Sequence, residues 1–247
     1  MKYSKSLIII CLATTLFVFA MSCKKEFAKL VVEDTDLSDK AFVKVYNGTI
    51  SSQRTRMYVD NIGISGTLLA YGGIFPSSTY AAALTPGSHT IEIKDTVATS
   101  SQPPISISAN LEAGKNYSIF TYDTVNSIKY IMTTDQIEKP TDTTARLRFV
   151  NLIFSKATLP NVDLFSVNRG VTIFSNVPIG KVSDFIPFAS RRADTICVRA
   201  TGTTVNLTPL VAINPTINRS YTIIYRGRYE TTSGTAMPRG LSAISNY

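Results

Sequence analysis

The sequence contains one histidine, three cysteines and no tryptophan in 247 residues. Most protein metal sites, and most acid–base sites that work near neutral pH, use histidine or cysteine, so this scarcity leaves little material for either. Glycine and proline are also few, at 13 and 11 residues, which excludes a collagen-like or low-complexity chain. With 44% hydrophobic residues the chain is apolar enough to fold. Because histidine and cysteine are scarce, we expect the protein to use no cofactor.

The longest apolar run lies at the N-terminus. Lys2 and Lys5 precede an apolar stretch over 7–20, and Ala20-Met21-Ser22 then leads to Cys23. About 15 residues of helix rise roughly 22 Å, which is less than the hydrocarbon core of a bilayer, so the run is typical of a signal peptide. Its end resembles the lipobox of bacterial lipoproteins, which implies a signal peptide over 1–22 and lipidation of Cys23. An ordinary secreted protein or a single-span anchor is the alternative.

Lipidation would leave Cys197 as the only free thiol of the mature chain, so no internal disulfide could form. In the segment that follows, 9 of the 17 residues over 24–40 are charged, and the sequence predicts a tether over 23–40. The lipid makes the membrane a partner and predicts a cell-envelope protein anchored at the outer membrane. The surface and the periplasmic face both stay open, because Lys24 and Lys25 stand where some surface lipoproteins carry acidic residues.

The rest of the chain contains a weak duplication. The matching pairs, at offsets of 104 or 105 residues, are 41–47 with 145–151, 89–93 with 194–198, and 116–119 with 220–223. A period of about 100 residues is the size of one domain, so the pattern indicates tandem domains. The predicted parts are a first domain over 41–138, a linker at 139–144 and a second domain over 145–247.

Apolar and polar residues alternate with a period of two within each copy. Val43 and Val45 lie opposite to Lys44, and Leu147 and Phe149 lie opposite to Arg148. Turn signals recur about every 8 to 12 residues. The sequence therefore predicts an all-β chain with two tandem immunoglobulin-like antiparallel β-sandwiches of about seven strands each. One continuous sandwich shared by both halves is the alternative.

Three stretches of the first half carry a resemblance to a known family. They are the short strand 56–60, the segment Leu84-Thr85-Pro86-Gly87 with the strand after it, and Leu111-Glu112-Ala113-Gly114-Lys115 with the strand after it. They resemble the domain of unknown function numbered 4397, which occurs, often in tandem, in secreted and lipid-anchored bacterial surface proteins. The resemblance covers about residues 41–134 and is weaker in the second half. No functional residue is established for that family, so it implies only the fold and the location.

Candidate catalytic groups are few. Ser88 and His89, with Asp95 or Glu92, have the composition of a hydrolase triad, but adjacent strand residues point to opposite faces and no Gly-x-Ser-x-Gly elbow occurs. Cys197 alternates with two aliphatic residues and is expected to be a small buried hydrophobe. We therefore predict no catalytic residue.

Metal binding has equally little support. Asp60-Asn61 lies in a turn, and Asp34 and Asp36 lie in the tether, but no Asp-x-Asp-x-Asp-Gly calcium loop occurs. We therefore predict no metal site.

Charge differs between the two halves. Residues 41–140 contain 7 basic and 7 acidic residues, whereas 141–247 contain 12 basic and 5 acidic residues, and ten of those twelve are arginine. Arginine favours bidentate contact with carboxylate or phosphate, so the excess predicts a binding patch in the second domain. The predicted patch residues are Arg191, Arg192, Arg199, Arg219, Arg226, Arg228, Tyr225 and Tyr229. A solvated basic surface without a ligand is the alternative.

The leading hypothesis is a non-enzymatic, lipid-anchored cell-envelope protein. It would bind an acidic polysaccharide or another envelope protein through its loops and the arginine-rich second domain. An arginine-rich surface could also attract nucleic acid, but a cell-envelope protein lies in a different compartment. Nucleic acid is therefore not expected as a partner. One alternative is a structural spacer or an assembly subunit of an envelope complex. The third and weakest hypothesis is a hydrolase acting on glycans, which needs only two suitably spaced carboxylates.

Overall fold

The computed structural model describes residues 36–77, 79–137, 140–234 and 237–246. The predicted signal peptide, Cys23 and most of the predicted tether lie outside these ranges. Ser38–Tyr247 form one compact unit. The described residues form 18 β-strands, and none of them belongs to a helix that is long and apolar enough to cross a membrane.

Nine strands occupy each half of this unit. Those of the first half are β1 (Ala41–Asn47), β2 (Thr55–Val59), β3 (Ile62–Gly63), β4 (Ile74–Phe75), β5 (Ala82–Leu84), β6 (Gly87–Asp95), β7 (Ile105–Leu111), β8 (Asn116–Tyr122) and β9 (Lys129–Asp135). Those of the second half are β10 (Ala145–Asn151), β11 (Val162–Ser166), β12 (Val171–Val177), β13 (Lys181–Val182), β14 (Ile186–Phe188), β15 (Asp194–Ala200), β16 (Val211–Ile213), β17 (Ser220–Arg226) and β18 (Gly240–Ser245).

The strands form two sheets in each half. In the first half the orders are β3-β2-β6-β7 and β4-β1-β8-β9, with β5 also paired to β1. The second half repeats this arrangement as β12-β11-β15-β16 and β13-β10-β17-β18, with β14 paired to β10. Among the described strands, none of one half pairs with a strand of the other. The predicted all-β fold of two tandem sandwiches is confirmed.

The strand arrangement differs from the prediction in two respects. β1 pairs with β8 in parallel, and β10 pairs with β17 in parallel, while the remaining strand pairs are antiparallel. Each half also has nine strands instead of about seven, because the very short strands β3, β4 and β13 carry too few residues to show a period in the sequence.

Each sandwich encloses its own hydrophobic core, built from the alternating apolar residues. The first core contains Val43, Val45, Ile91, Ile93 and Ile119, all fully buried. The second contains the corresponding residues Leu147, Phe149, Ile196, Val198 and Ile223. Burial of one such side chain contributes about 1.5–3 kcal/mol, so the two cores account for the formation of two closed sandwiches.

A third apolar cluster joins the two sandwiches. It contains Tyr46 and Phe120 from the first half and Val150, Leu152, Ile224 and Ile244 from the second. These residues lie on β1, β8, β10, β17 and β18 or directly after them, on faces turned away from the two sandwich cores. The sheets that contain β1 and β10, called the inner sheets below, therefore pack face to face. The alternation of apolar and polar residues does not predict this contact.

A buried polar network lies beside that cluster. Arg148 of β10 and Asp135 of β9 form an ion pair with an Nη1–Oδ1 distance of 2.5 Å, and each side chain is only 2% exposed. Arg148 also donates from Nε to Thr222 Oγ1 at 2.7 Å and from Nη2 to Ser118 Oγ at 2.9 Å. A buried charge is tolerated only when it is paired and hydrogen-bonded, and this network meets that requirement across the junction.

The two halves present similar surfaces to each other. Lys44 in β1 occupies the position equivalent to Arg148 in β10. The Nζ atom of Lys44 lies 3.5 Å from the carbonyl oxygen of Ser245. Burial lowers the pKa of Lys44 to about 8. At the other end of the strands, each half places a glycine against a side chain of the other half. A Cβ added to Gly180 would lie 2.9 Å from the Tyr122 hydroxyl, and the Arg226 guanidinium lies next to Gly72. The junction therefore resembles a two-fold, isologous contact within one chain.

Candidate functional site

The structure divides the predicted patch residues between the two ends of the second sandwich. Arg219 directly precedes β17 and Arg226 is its last residue, so about 23 Å separates them at roughly 3.3 Å per residue. Arg191, Arg192 and Arg219 lie at the end where β10, β15 and β17 begin. Arg199, Arg226 and Arg228 lie at the opposite end. One patch that includes them all does not form.

Tyr225 does not lie at the surface. It is 0% exposed and belongs to the second core, on the same face of β17 as Tyr221 and Ile223. Burial raises the pKa of Tyr225 above its usual value. The prediction that this residue contributes to a binding patch is wrong. Tyr229 is half-buried and lies under the guanidinium of Arg239, with 4.8 Å from Cζ to the ring centroid.

Most arginines of the second half stack on aromatic rings of the chain itself. The stacked pairs and their Cζ-to-centroid distances are Arg148 on Phe185 (4.6 Å), Arg169 on Phe188 (4.1 Å), Arg199 on Phe165 (3.5 Å), Arg226 on Tyr71 (4.8 Å), Arg228 on Phe154 (5.5 Å) and Arg239 on Tyr229 (4.8 Å). A planar guanidinium over a ring gains about 0.5–2 kcal/mol. Much of the arginine excess therefore serves internal packing.

Among the residues of the predicted patch, hydrogen bonds further fix Arg199 and Arg226. Arg199 donates from Nε to Asn206 Oδ1 at 2.9 Å. Arg226 donates from Nε to Ser242 Oγ at 2.6 Å. Arg199, Arg226 and Arg228 thus make contacts inside the chain, and a ligand-binding role for these three stays a prediction.

Three arginines remain free at the other end of the sandwich. Arg191, Arg192 and Arg219, called the arginine end below, are exposed, and none of their side chains bonds to another side chain or carbonyl of the described residues. Their loops are tied together through the backbone: the amide of Arg191 donates to the carbonyl of Pro215 at 2.9 Å, and the amide of Arg146 donates to that of Arg219 at 2.8 Å. Three positive charges therefore lie on two connected loops.

The loop that carries Arg191 adopts an unusual backbone conformation. Arg191 has φ of 59° and Asn218, in the neighbouring loop, has φ of 56°. Asparagine tolerates this left-handed region, whereas an arginine there costs about 1 kcal/mol. The hydrogen bond from Ser190 Oγ to the carbonyl of Thr143, at 2.5 Å, helps to hold the loop in place.

His89 forms an ion pair that is not predicted from the sequence. Its Nδ1 lies 2.7 Å from Asp60 Oδ2 and its Nε2 lies 2.8 Å from the carbonyl oxygen of Thr85. Both partners are acceptors, so only the doubly protonated ring satisfies both, and the hydrogen bond to Asp60 raises the pKa of His89. The ring joins the turn at Asp60 to the turn before β6. Asp60 was predicted only as part of a turn, because pairing across strands leaves no signal in the sequence.

The other candidate catalytic groups are engaged elsewhere. Asp95 accepts a hydrogen bond from Ser100 Oγ at 2.9 Å, and Glu92 pairs with Lys94 at 2.7 Å. Cys197 is fully buried, which confirms its interpretation as a small buried residue, and burial raises the pKa of its thiol. The described part of the chain contains no group of three or more histidine, cysteine or acidic side chains that could hold a metal ion.

Comparison with known proteins gives one family match, over residues 41–159. No curated protein matches the chain. One solved structure that resembles it is the carbohydrate-binding module CBMbc (family CBM26) from Eubacterium rectale Amy13K in complex with maltoheptaose, at 10% identity over 84% of this chain and 97% of that one. Its TM-score of 0.27 is too low to support a statement about shared function. The model of the domain of unknown function DUF4397 matches residues 41–159, so the family resemblance predicted from the sequence is confirmed.

Proposed function

We propose that this protein is a non-enzymatic lipoprotein of the bacterial cell envelope, anchored at the outer membrane through Cys23, which binds an acidic polysaccharide through the arginine end. The N-terminal sequence supports the anchor. The observation that carries the binding role is the presence of three exposed arginines, without partners among the described residues, on two connected loops. The other stacked or paired arginines are already engaged within the chain.

The chemistry of the arginine end suits carboxylate or phosphate groups. A guanidinium presents a rigid fork of N–H donors that matches both anions, and a charge-assisted hydrogen bond contributes about 1.5–3 kcal/mol. Three such groups can contact successive charges of one polymer. The nearby Arg146 is paired with Asp142 at 3.2 Å and adds little free charge. Because the arginine end is exposed, its affinity should fall steeply with salt.

The non-enzymatic role is supported by the state of the two most reactive side chains. Both ring nitrogens of His89 are occupied, by Asp60 and by the carbonyl of Thr85. Cys197 is buried, and its raised pKa disfavours the thiolate. Neither residue is therefore placed to act as a base or a nucleophile.

The test compares binding of polygalacturonate, which carries carboxylates, with binding of neutral dextran. The wild type should bind polygalacturonate more tightly than dextran at about 50 mM NaCl, and the affinity for polygalacturonate should fall at least about tenfold between roughly 50 and 500 mM NaCl. Arg191→Ala/Arg192→Ala should lose at least about tenfold, equivalent to about 1.4 kcal/mol. Arg54→Ala/Lys129→Ala removes the same charge from exposed ion pairs of the first half and should bind normally. Unchanged binding by the first double variant would refute the proposal.

A structural spacer or assembly subunit is the second candidate. It is favoured by the buried junction, which makes one body of the two sandwiches, and by β9, which has a strand neighbour on one side only. An edge strand of this kind can pair with a neighbouring protein. A stoichiometric complex with another envelope protein that persists at high salt would favour this role, whereas glycan turnover that survives the arginine substitutions would favour a hydrolase.

A further inference from the structure

A cleft of about 380 Å³ lies between the two sandwiches. The end of β9 and the residue after it, 133–136, form one wall. The last residue of β13 and the connection to β14, together 182–185, form the other. The cleft exists only because the inner sheets pack together. Its volume falls within the range of about 300–1,000 Å³ that is typical of small-molecule sites, and such sites often lie between domains.

The base of the cleft carries charges that are already neutralised. Arg148 and Asp135 both line it and are paired with each other, and Arg146, which also lines it, is paired with Asp142. The hydrogen bonds from Arg148 to Ser118 and Thr222 fix the guanidinium in place. The base is therefore rigid and offers no free positive charge to an anion.

The rim carries polar groups that have no partner within the described chain. The hydroxyl of Thr134, the amide of Gln136 and the carboxylate of Asp184 are exposed, and none of them bonds to another described residue. The ring of Phe185 also lines the cleft and is half-buried, with Arg148 Cζ at 4.6 Å from its centroid. An acceptor, an amide that both donates and accepts, a hydroxyl and an apolar ring thus line one cleft.

We infer that this cleft binds an uncharged sugar residue. Asp184 can accept hydrogen bonds from two neighbouring hydroxyls, Gln136 and Thr134 can bond further hydroxyls, and the ring of Phe185 can cover the C–H groups of a pyranose. The one unpaired carboxylate disfavours acidic ligands. This inference does not rest on the arginine end, which contains none of the cleft residues and recognises charge.

NMR titration of the mature protein tests the inference. The probes are methyl glucoside, methyl galactoside, methyl mannoside, N-acetylglucosamine and the neutral trisaccharides maltotriose and cellotriose. At least one should give saturable shifts of the Asp184 and Phe185 amide signals, and glucuronate should bind at least about threefold more weakly than methyl glucoside because Asp184 repels its carboxylate. Gln136→Ala/Asp184→Asn should weaken binding at least about tenfold.

A matched control is Gln53→Ala/Glu112→Gln, which changes two exposed residues outside the cleft and should bind as the wild type does. Arg191→Ala/Arg192→Ala should also leave sugar binding unchanged, so failure of the arginine-end proposal and failure of this one are distinguishable. The inference is overturned if no probe gives saturable shifts, or if the Gln136→Ala/Asp184→Asn variant binds with unchanged affinity.

Discussion

Removal of the Asp135 carboxylate tests the junction between the sandwiches. Asp135 accepts hydrogen bonds from Arg148 Nη1 and Nη2 at 2.5 and 3.1 Å and from Ser118 Oγ at 2.5 Å. In Asp135→Ala the guanidinium, which is 2% exposed, would stay buried without its counter-charge. Breaking a buried pair from one side costs about 3–5 kcal/mol, a large part of the roughly 5–15 kcal/mol by which a protein of this kind is stable.

Urea unfolding followed by far-UV circular dichroism measures this loss. The wild type should unfold in one transition, because the shared cluster makes the halves cooperative. Asp135→Leu/Arg148→Met should recover most of the stability, since an apolar pair often replaces a buried ion pair at no cost. Lys129→Ala removes an exposed ion pair, in which Lys129 is 55% exposed, and should cost less than about 1 kcal/mol.

Two results would refute the reasoning. If Asp135→Ala lowers the free energy of unfolding by less than about 1 kcal/mol, the ion pair is not buried as described, because an exposed ion pair contributes no more than that. Two separate transitions in the wild type would mean that the halves unfold independently, and the shared apolar cluster would then contribute little.

His89 is the only histidine, so NMR can follow its ring directly; its pKa should exceed the usual value of about 6.5 and fall in Asp60→Asn. Because the raised pKa means that the protonated ring stabilises the fold, the contribution of His89 to the free energy of unfolding should be complete below about pH 6.5. It should be lost as the pH rises through the folded pKa. A free energy of unfolding that does not change over this range would contradict the ion pair of His89 with Asp60. Arg191→Asn should raise stability by about 0.5–1 kcal/mol while polygalacturonate binding falls, since asparagine tolerates a positive φ; a less stable variant would disprove the backbone argument. In the lipidated mature protein, Cys197 should react with a thiol reagent only after denaturation, and rapid labelling of the native protein would show that the thiol is accessible.

Much of the fold could be predicted from alternation and duplication. The matched segments 41–47 and 145–151 coincide with the observed strands β1 and β10. Buried residues extend along the whole of both strands, so the sequence pattern marks their ends. The strand predicted at 89–93 extends in fact over Gly87–Asp95. Its ends are polar and half-exposed, so the apolar pattern marked only the central part.

The junction could not be predicted in the same way. Lys44 and Arg148 alternate with apolar residues, and such a pattern indicates a solvent-facing side of a strand. Their burial depends on partners that are distant in the sequence, such as Asp135 and Thr222. A period within one strand contains no information about these partners.

In the candidate site, too, some features could be predicted from the sequence and others could not. The position of Tyr225 could have been derived, because it has the same parity in β17 as Ile223 and therefore faces the core. The stacking of arginines on rings could not, since Arg199 and Phe165, for example, come from different strands. An excess of arginine in the sequence does not distinguish internal stacking from ligand binding. Only the exposed, unpartnered state of the arginine end separates the two.

Whether Cys23 is lipidated decides which ligands the protein can meet, and incorporation of radiolabelled palmitate measures this most directly. Cells that produce the wild type or Cys23→Ala would be labelled, and protease digestion of intact cells would then assign the exposed or the periplasmic face. The account predicts a labelled wild type and an unlabelled variant. An unlabelled wild type, or equal label in both proteins, would contradict the proposal of a lipid-anchored envelope protein.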